Sequence, residues 1–245
     1  MDSFRQIDNL LKDQTFAPSR SGFATAEAIA RSFVAADHCI AVVSDIRNGS
    51  SRIFAGEFAD TIGLKLRNEE NSIWEHEILS RLPDDERNEK FMAELRFFHF
   101  LKRMPRKRRH LYHLATKLRF LRNNGDLTTV IHRMYYLYGP DGESVEYAIC
   151  LYAPLTFDFP GKSIVVNSVT GLTEALTSAD DPDILSRREK QVLRLVADGN
   201  TSAEIAGVLS ISHHTVNRHR QKILEKLNAK NSAEALQIGR SLGLF

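Results

Sequence analysis

The last quarter of the chain is built from repeated helix-start and helix-stop signals. Ser186 is followed three residues later by Glu189, the spacing of a capping box, in which each residue's side chain satisfies a backbone N–H of the other. The later signals are, in chain order, a stop at Gly199-Asn200, a cap at Thr201 or Ser202, a turn at Ser210-Ile211-Ser212 and a third helix from Ser212 or His213 to about Leu227. A short helix, a tight turn and a longer amphipathic helix predict a helix-turn-helix unit.

The third of these helices has two chemically different sides. At about 100° per residue, Ile223, Leu224 and Leu227 lie within about 80° of Val216 and form an apolar stripe. The side between about 100° and 200° from Val216 carries only long polar groups and no carboxylate before Glu225; its members are His214, Asn217, Arg218 and Gln221. Arg can pair with guanine, and Asn or Gln with adenine, when a helix lies in the major groove. Any surface helix has a polar side, so the angles alone leave base reading and a solvated face equally open.

Residues 185 to 244 resemble the LuxR-type helix-turn-helix domain. The matching positions are LSxRE at Leu185–Glu189, EIAxxLxIS at Glu204–Ser212, TVxxH at Thr215–His219, KL at Lys226-Leu227, Asn231 and the closing Gly243-Leu244. So many fixed spacings make the match specific. The resemblance implies a bacterial transcription regulator that binds double-stranded DNA as a homodimer, with a fourth helix at Ala233–Leu242 as the dimer contact. RNA polymerase is a further candidate partner.

The resemblance also implies which side chains contact DNA. The family's base-contacting positions fall on Asn217, Arg218 and Gln221. Its backbone-contacting positions fall on Thr201, Ser212, Thr215, Lys222, Lys230 and Asn231. The chain departs from the usual pattern at Ser202-Ala203, where Asn-Lys is common, at Asn217, where Lys is frequent, and at Ser232, where Arg is common. These departures affect the operator sequence and the affinity, while the binding mode is expected to persist.

The residues before this unit mix strand and helix patterns. The predicted elements are a hairpin of Cys39–Ile46 with Arg52–Ala55, a helix from Asp84 to about Met104, and strands at Leu111–Leu121, Leu127–Tyr138 and Val145–Ala153. Two strands, several helices and three antiparallel strands are the element order of a PAS domain. Together with LPDDE at Leu82–Glu86, this order makes residues 25 to 153 resemble that family. The resemblance implies a sensory or assembly domain, with a small-molecule ligand as a candidate partner.

The predicted fold class is therefore α+β: a PAS-like antiparallel sheet domain with helices, followed by an all-α four-helix LuxR-type domain. We expect residues 1–160 to form the first domain, 161–183 a linker and 184–245 the second domain. The polar run Ser178–Asp183 is the strongest linker signal, although Ser163–Val169 has the pattern of a short extra strand. Residues 184–245 carry ten Lys and Arg against five Asp and Glu, while the remainder is slightly acidic. That asymmetry is typical of a nucleic-acid binder with a control domain.

Composition narrows the remaining classes of protein. Hydrophobic residues make up 42% and charged residues 26% of the 245 residues, as in ordinary globular proteins. No apolar run approaches the roughly 20 residues of a membrane span, and the opening residues do not resemble a secretory signal. The two cysteines, Cys39 and Cys150, cannot form a disulfide framework, which favours the cytoplasm. No motif of an enzyme, a metal site or a cofactor site is evident, so we expect a non-enzyme without a metal or cofactor.

Two other control domains often precede this helix-turn-helix. A phosphoacceptor receiver domain needs alternating strands and helices, which the consecutive strands from Leu111 to Ala153 contradict. An autoinducer-binding domain of the acyl-homoserine-lactone type usually brings a cluster of Trp and Tyr with an Asp. Trp74 is the only tryptophan of the chain. A quorum-sensing regulator of that type therefore stays as the second alternative.

Overall fold

The structure is a computed structural model that describes residues 3–16, 22–65, 69–176, 185–227, 229 and 231–241. Its residues divide into two compact units. One consists of Asn9–Leu176, and the other of Thr177–Phe245 together with Met1–Asp8. The first helix, α1 (Ser3–Lys12), contributes residues to both sides of this division.

The larger unit is built on an antiparallel sheet. Its helices are α2 (Phe23–Asp37), α3 (Phe58–Thr61), α4 (His76–Leu79) and α5 (Asp84–Arg103), with a 3₁₀ helix at Arg106–Leu111. Its strands are β1 (Ile40–Asp45), β2 (Ser50–Ala55), β3 (Glu69–Glu70), β4 (Tyr112–Leu121), β5 (Leu127–Tyr138), β6 (Val145–Pro154), β7 (Ser163–Asn167) and β8 (Thr173–Ala175). The strand order is β3-β2-β1-β6-β5-β4-β7-β8, and all neighbours are antiparallel.

Both faces of the central strands are covered. On one face, Ala26 and Ala30 of α2 pack with the alternating residues of β1 and β6, including Val43 and Leu151. On the other face α5 lies against β4 and β5, where Phe97 stacks on Tyr136 with ring centroids 5.6 Å apart. Because helices cover both sides, β6 is buried from Val145 to Ala153 and loses the polar alternation of a half-exposed strand.

From residue 185 onward, the described part of the smaller unit consists of four helices. These are α6 (Arg187–Ala197), α7 (Ser202–Leu209), α8 (His213–Lys226) and α9 (Ser232–Ser241). The capping box of Ser186 with Glu189 is present, and a second one joins Thr201 to Glu204. Ser210 ends α7 in the left-handed region, with φ of 51°. The predicted fold class, an antiparallel sheet domain followed by a four-helix unit, is confirmed.

The predicted linker differs from the structure in its first half. β7 and β8 lie within residues 161–183 and extend the sheet beyond β4, because the backbone of Ser163–Asn167 pairs with Tyr112–Thr116. Residues 177–184 lie outside the described residues, as does Gly243-Leu244, so the limits of the two domains stay a prediction. The predicted fourth helix, Ala233–Leu242, corresponds to α9, which begins one residue earlier at Ser232.

Candidate functional site

The N-terminus of α8 is fixed by local hydrogen bonds. The Ser212 hydroxyl oxygen accepts a hydrogen bond from the backbone N–H of Thr215, with an N–O distance of 3.0 Å. The hydroxyl groups of Ser212 and Thr215 are also 2.8 Å apart. Ser212 is exposed and Thr215 is half-buried. Since the first turn of a helix presents free N–H groups and a partial positive charge, this end of α8 suits an anion such as a phosphate.

Burial divides α8 along the predicted line. Val216, Ile223 and Leu227 are buried, and Leu224 is half-buried. His214, Asn217, Arg218 and Gln221 are all exposed. We call the exposed side chains of Asn217, Arg218 and Gln221 the reading face.

The side chains of the reading face have few ties within the protein. Asn217 contacts the ring of His213 at 3.3 Å, and Gln221 donates a hydrogen bond to Glu225 at 3.2 Å. Both contacts are to exposed neighbours on the same helix. Arg218 makes no side-chain hydrogen bond or ion pair with any residue that the structure describes. The face therefore presents two amides and one guanidinium that can be redirected at little cost.

The positions assigned to DNA-backbone contacts differ in exposure and in the hydrogen bonds that they make within the protein. Thr201, Lys222 and Asn231 are exposed. The Thr201 hydroxyl is engaged by Glu204 at 2.8 Å, and the Asn231 side-chain oxygen accepts from the N–H of Glu234 at 2.9 Å. Lys222 makes no hydrogen bond within the described part of the chain. Lys230 lies outside the described residues.

An ion pair joins the C-terminal end of α8 to the start of α6. Lys226 donates a hydrogen bond to the buried carboxylate of Glu189 over 2.7 Å, and the backbone N–H of Ser186 donates to the same oxygen over 2.7 Å. Burial raises the pKa of Glu189, but the hydrogen bonds from Lys226 and Ser186 outweigh it, so the pKa lies below its ordinary value. The capping box is predictable from the sequence, whereas this second partner of Glu189 is not.

Arg220 connects α8 to the beginnings of both α7 and α9. Its guanidinium donates hydrogen bonds to the hydroxyl oxygens of Ser202 and Ser232, each over 3.0 Å. These serines are two of the positions where the chain departs from the usual LuxR-type pattern. The sequence contained a signal for this contact, since Arg220 lies about 40° from Val216 around the helix, on the packed side.

The larger unit contains a second constellation, which we call the buried ion cluster: Glu75, Lys90, Glu94 and Tyr152. The Lys90 ammonium lies 3.1 Å from a Glu75 oxygen and 2.6 Å from a Glu94 oxygen, and the Tyr152 hydroxyl donates to Glu75. All four side chains are at most 2% exposed. No sequence pattern indicated it, because Glu75, α5 and β6 are far apart along the chain.

Burial and charge act in opposite directions on these groups. Burial raises the pKa of Glu75, but the Lys90 charge and the Tyr152 hydrogen bond outweigh it and hold the pKa below its ordinary value. Burial also raises the pKa of Glu94, which stays above its ordinary value despite Lys90 because Glu75 repels a second negative charge. A cavity of about 20 Å³ adjoins the cluster and is lined by Lys90, Glu94, Tyr136 and Cys150 among others. The cluster is thus a polar site inside an apolar sheet domain.

A segment of the smaller unit matches a known protein family. Residues 183–238 match the family model described as "Bacterial regulatory proteins, luxR family". The chain is 48% identical over 60 residues to the regulatory protein SdiA of Escherichia coli, covering 24% of this chain and 25% of that protein. It is 42% identical over 80 residues to the HTH-type quorum-sensing regulator RhlR of Pseudomonas aeruginosa, covering 30% of this chain and 33% of RhlR. The chain thus spans about a quarter to a third of these relatives.

Solved structures cover more of the chain at lower similarity. A phage VqmA–DPO complex aligns with 91% of this chain and 91% of that chain, at 18% identity and a TM-score of 0.33. E. coli SdiA aligns with 98% of each chain, at 16% identity and a TM-score of 0.27. Scores of this size carry no argument about the larger unit. Among the described residues, no helix is long and apolar enough to cross a bilayer.

Proposed function

We propose that this chain, whose residues 183–238 are a LuxR-family helix-turn-helix domain, is a sequence-specific DNA-binding transcription regulator. The reading face of α8 carries the proposal. Its amide and guanidinium groups are exposed, while the opposite side of the same helix is buried. A helix held in this way can enter the major groove without unfolding any part of its own unit.

The roles within this interface follow from position and chemistry. Asn217, Arg218 and Gln221 read base edges, where each well-made bidentate pair discriminates by about 1–3 kcal/mol. Thr201, Ser212, Thr215, Lys222, Lys230 and Asn231 contact the phosphate backbone and set the register. The exposed Lys222 supplies a mobile positive charge, and the capped start of α8 supplies N–H groups. Ser202 and Ser232 hold Arg220 and so support the helix in place of contacting DNA.

The regulator acts as a homodimer in this proposal, with α9 as the contact between copies. Two copies related by a two-fold axis read two half-sites about one helical turn apart or less. Footprinting that showed full affinity for a single half-site would contradict the dimer. RNA polymerase is the proposed protein partner at the promoter. The proposal also places the regulator in the cytoplasm, as a non-enzyme that does not bind a membrane.

The larger unit, which we call the sheet unit, is proposed to be the control domain. It is the compact unit, Asn9–Leu176, that does not carry α8, and its antiparallel sheet with helices is the architecture expected of a sensory domain with a small-molecule ligand. A quorum-sensing regulator with an autoinducer-binding N-terminal domain is the second candidate, favoured by the 42% identity to RhlR over 80 residues. A response of operator binding to cell-free culture medium would favour that candidate, and its absence would favour an intracellular signal.

Selection from random DNA duplexes, followed by sequencing, tests the central proposal. We expect a two-fold symmetric consensus, and we expect Arg218→Ala to weaken binding to it by about 1–3 kcal/mol, or roughly 5- to 150-fold. The preference at one position of each half-site should also relax. Arg194→Ala is the matched control, because Arg194 is an exposed arginine on α6 and its loss removes the same charge. Equal effects of the two variants would show that the reading face is assigned wrongly.

A further inference from the structure

Three buried side chains with metal-binding chemistry meet beneath α5 in the sheet unit. They are Glu94 of α5, His132 of β5 and Cys150 of β6, and one potential ligand atom from each lies within 4.8 Å of the other two. All three are at most 4% exposed. We propose that Glu94, His132 and Cys150 form a binding site for a divalent transition-metal ion of the zinc class. This inference stands independently of the proposed DNA binding.

The sheet register brings the two strand residues together. His132 is paired with Tyr152, and Met134 is paired with Cys150, so His132 and Cys150 are diagonal neighbours on the same face of adjacent strands. Glu94 approaches that face from α5, and its carboxylate oxygen is 3.8 Å from Nε2 of His132. The site is therefore built on two strands and a long helix, which hold ligands more firmly than loops do.

His132 has an unmet requirement for a partner. Both of its ring nitrogens are buried, and neither has a hydrogen-bond partner among the described residues. The ring stacks on Tyr152 with centroids 4.8 Å apart and an angle of 22° between the planes, which fixes its direction. Buried polar atoms are rarely left without a partner, so this imidazole is a candidate metal ligand.

The charges around the site leave room for a cation. Two buried carboxylates, Glu75 and Glu94, face the single ammonium of Lys90. When Cys150 binds the ion as a thiolate, its proton leaves to bulk water. The two carboxylates, the thiolate, the ammonium and a divalent ion then sum to zero. Lys90 also contacts Glu75, so Glu94 can share its carboxylate between the ammonium and the ion.

The donor set and the available space fit an ion better than a larger molecule. Zinc bonds to nitrogen or oxygen of about 2.0–2.2 Å and to sulfur of about 2.3 Å place tetrahedral ligands about 3.3–3.6 Å apart. The side chains therefore need to contract by about 1 Å. Glu94 and Cys150 also line the cavity of about 20 Å³, which is large enough for one water molecule as the fourth ligand. Thiolate and imidazole together favour ions such as Zn²⁺ over Mg²⁺ or Ca²⁺.

Titration of the full-length, chelator-treated chain with Co²⁺ and then Zn²⁺ tests the proposal. A thiolate–cobalt charge-transfer band should appear with one ion per chain and should disappear as Zn²⁺ displaces Co²⁺. The band should be absent in Cys150→Ala and retained in Cys39→Ala. Cys39 is the matched control, because it is the chain's other buried free thiol. A parent chain without the band, a band that survives Cys150→Ala, or a band lost in Cys39→Ala would each overturn the proposal.

Two further variants test the site in case Cys150→Ala disturbs folding. His132→Gln and Glu94→Gln both keep the thiol and remove a different ligand. Since loss of a group outside the ligand set typically costs roughly 10- to 100-fold in metal affinity, loss of a ligand should weaken Zn²⁺ binding by at least about 100-fold. Fluorescence of Trp74, the only tryptophan, reports whether each variant's sheet unit is folded. Parent-like Zn²⁺ affinity in both folded variants would contradict the site, whatever the result of operator binding.

Discussion

The ammonium of Lys226, at the C-terminal end of α8, lies 2.7 Å from the Glu189 carboxylate in the first turn of α6. Glu189 is simultaneously the capping-box partner of Ser186. One buried carboxylate thus fixes the start of α6 and holds the end of the helix that carries the reading face. The orientation of that face depends on a residue that does not belong to it.

Removal of the Lys226 charge should lower the stability of the helices of the smaller unit, which we call the helical unit. We expect Lys226→Met to destabilise it by about 1 kcal/mol, because Glu189 stays buried while the lysine is 41% exposed and screened by water. Amide hydrogen exchange of α6 and α8 in the full chain measures this effect. Lys222→Met is the matched control, since Lys222 is an exposed lysine on the same helix. If both variants exchange alike, the ion pair contributes nothing measurable.

The same pair makes the helical unit sensitive to acid. The pKa of Glu189 in the folded chain lies below its ordinary value of 4.5, because the hydrogen bonds from Lys226 and Ser186 outweigh burial. The stabilisation is therefore fully present above about pH 4.5 and is lost as the pH falls through the lower folded pKa. Hydrogen exchange of α6 measured from pH 6 to pH 3 should show this loss, and Glu189→Gln should flatten it. An unchanged pH profile in that variant would assign the acid sensitivity to other groups.

Arg218 and Arg220 should separate recognition from support. Arg218 is exposed and makes no hydrogen bond or ion pair with a described residue, whereas Arg220 ties α8 to Ser202 and Ser232. We expect Arg220→Met to destabilise the unit by about 1–2 kcal/mol through its lost hydrogen bonds. It should weaken operator binding without changing the preferred bases. Arg218→Ala should leave hydrogen exchange unchanged while it alters base preference. A changed consensus with Arg220→Met would place that side chain at the bases.

The helical unit was largely predictable because its signals are local. The caps at Ser186, Thr201 and Ser212 and the apolar spacing of α8 depend on neighbours three or four residues away, and all of them are present. The position of Arg220 on the packed side of α8 was predictable from the helix angle. Its hydrogen-bond partners were not, since Ser202 and Ser232 lie 18 and 12 residues away. The base and backbone contacts stay predictions.

The sheet unit shows the limit of pattern reading. β5 is observed at Leu127–Tyr138, the bounds predicted from the sequence. The buried ion cluster and the proposed metal site of Glu94, His132 and Cys150 could not be predicted from the sequence, because they depend on strand register and on the placement of α5. Alternation indicates which residues share a face of a sheet. It does not indicate which charged group from a distant helix will lie above that face.

Salt should reveal how many phosphates the domain neutralises. The logarithm of the affinity is expected to fall linearly with the logarithm of salt concentration, because bound Lys and Arg release counterions. We expect Lys222→Gln to reduce the magnitude of that slope by about one, with uniformly weaker binding to all sequences. Arg194→Gln on α6 should leave the slope unchanged. Parent-like salt dependence in the Lys222 variant would remove this residue from the set of backbone contacts.

Lys90 should be the most sensitive single position of the sheet unit. Its ammonium is fully buried between Glu75 and Glu94, so Lys90→Met leaves two carboxylates without their counter-charge in an apolar interior. Loss of one partner of a buried pair costs about 3–5 kcal/mol. Denaturant unfolding followed by Trp74 fluorescence measures this directly, because that ring lies 5.7 Å from the Lys90 ammonium. Arg31→Met removes an exposed pair with Glu27 and should cost less than about 0.5 kcal/mol. Similar losses in the two variants would mean that protonation of Glu94 relieves the cluster, and that Lys90 is dispensable for the fold.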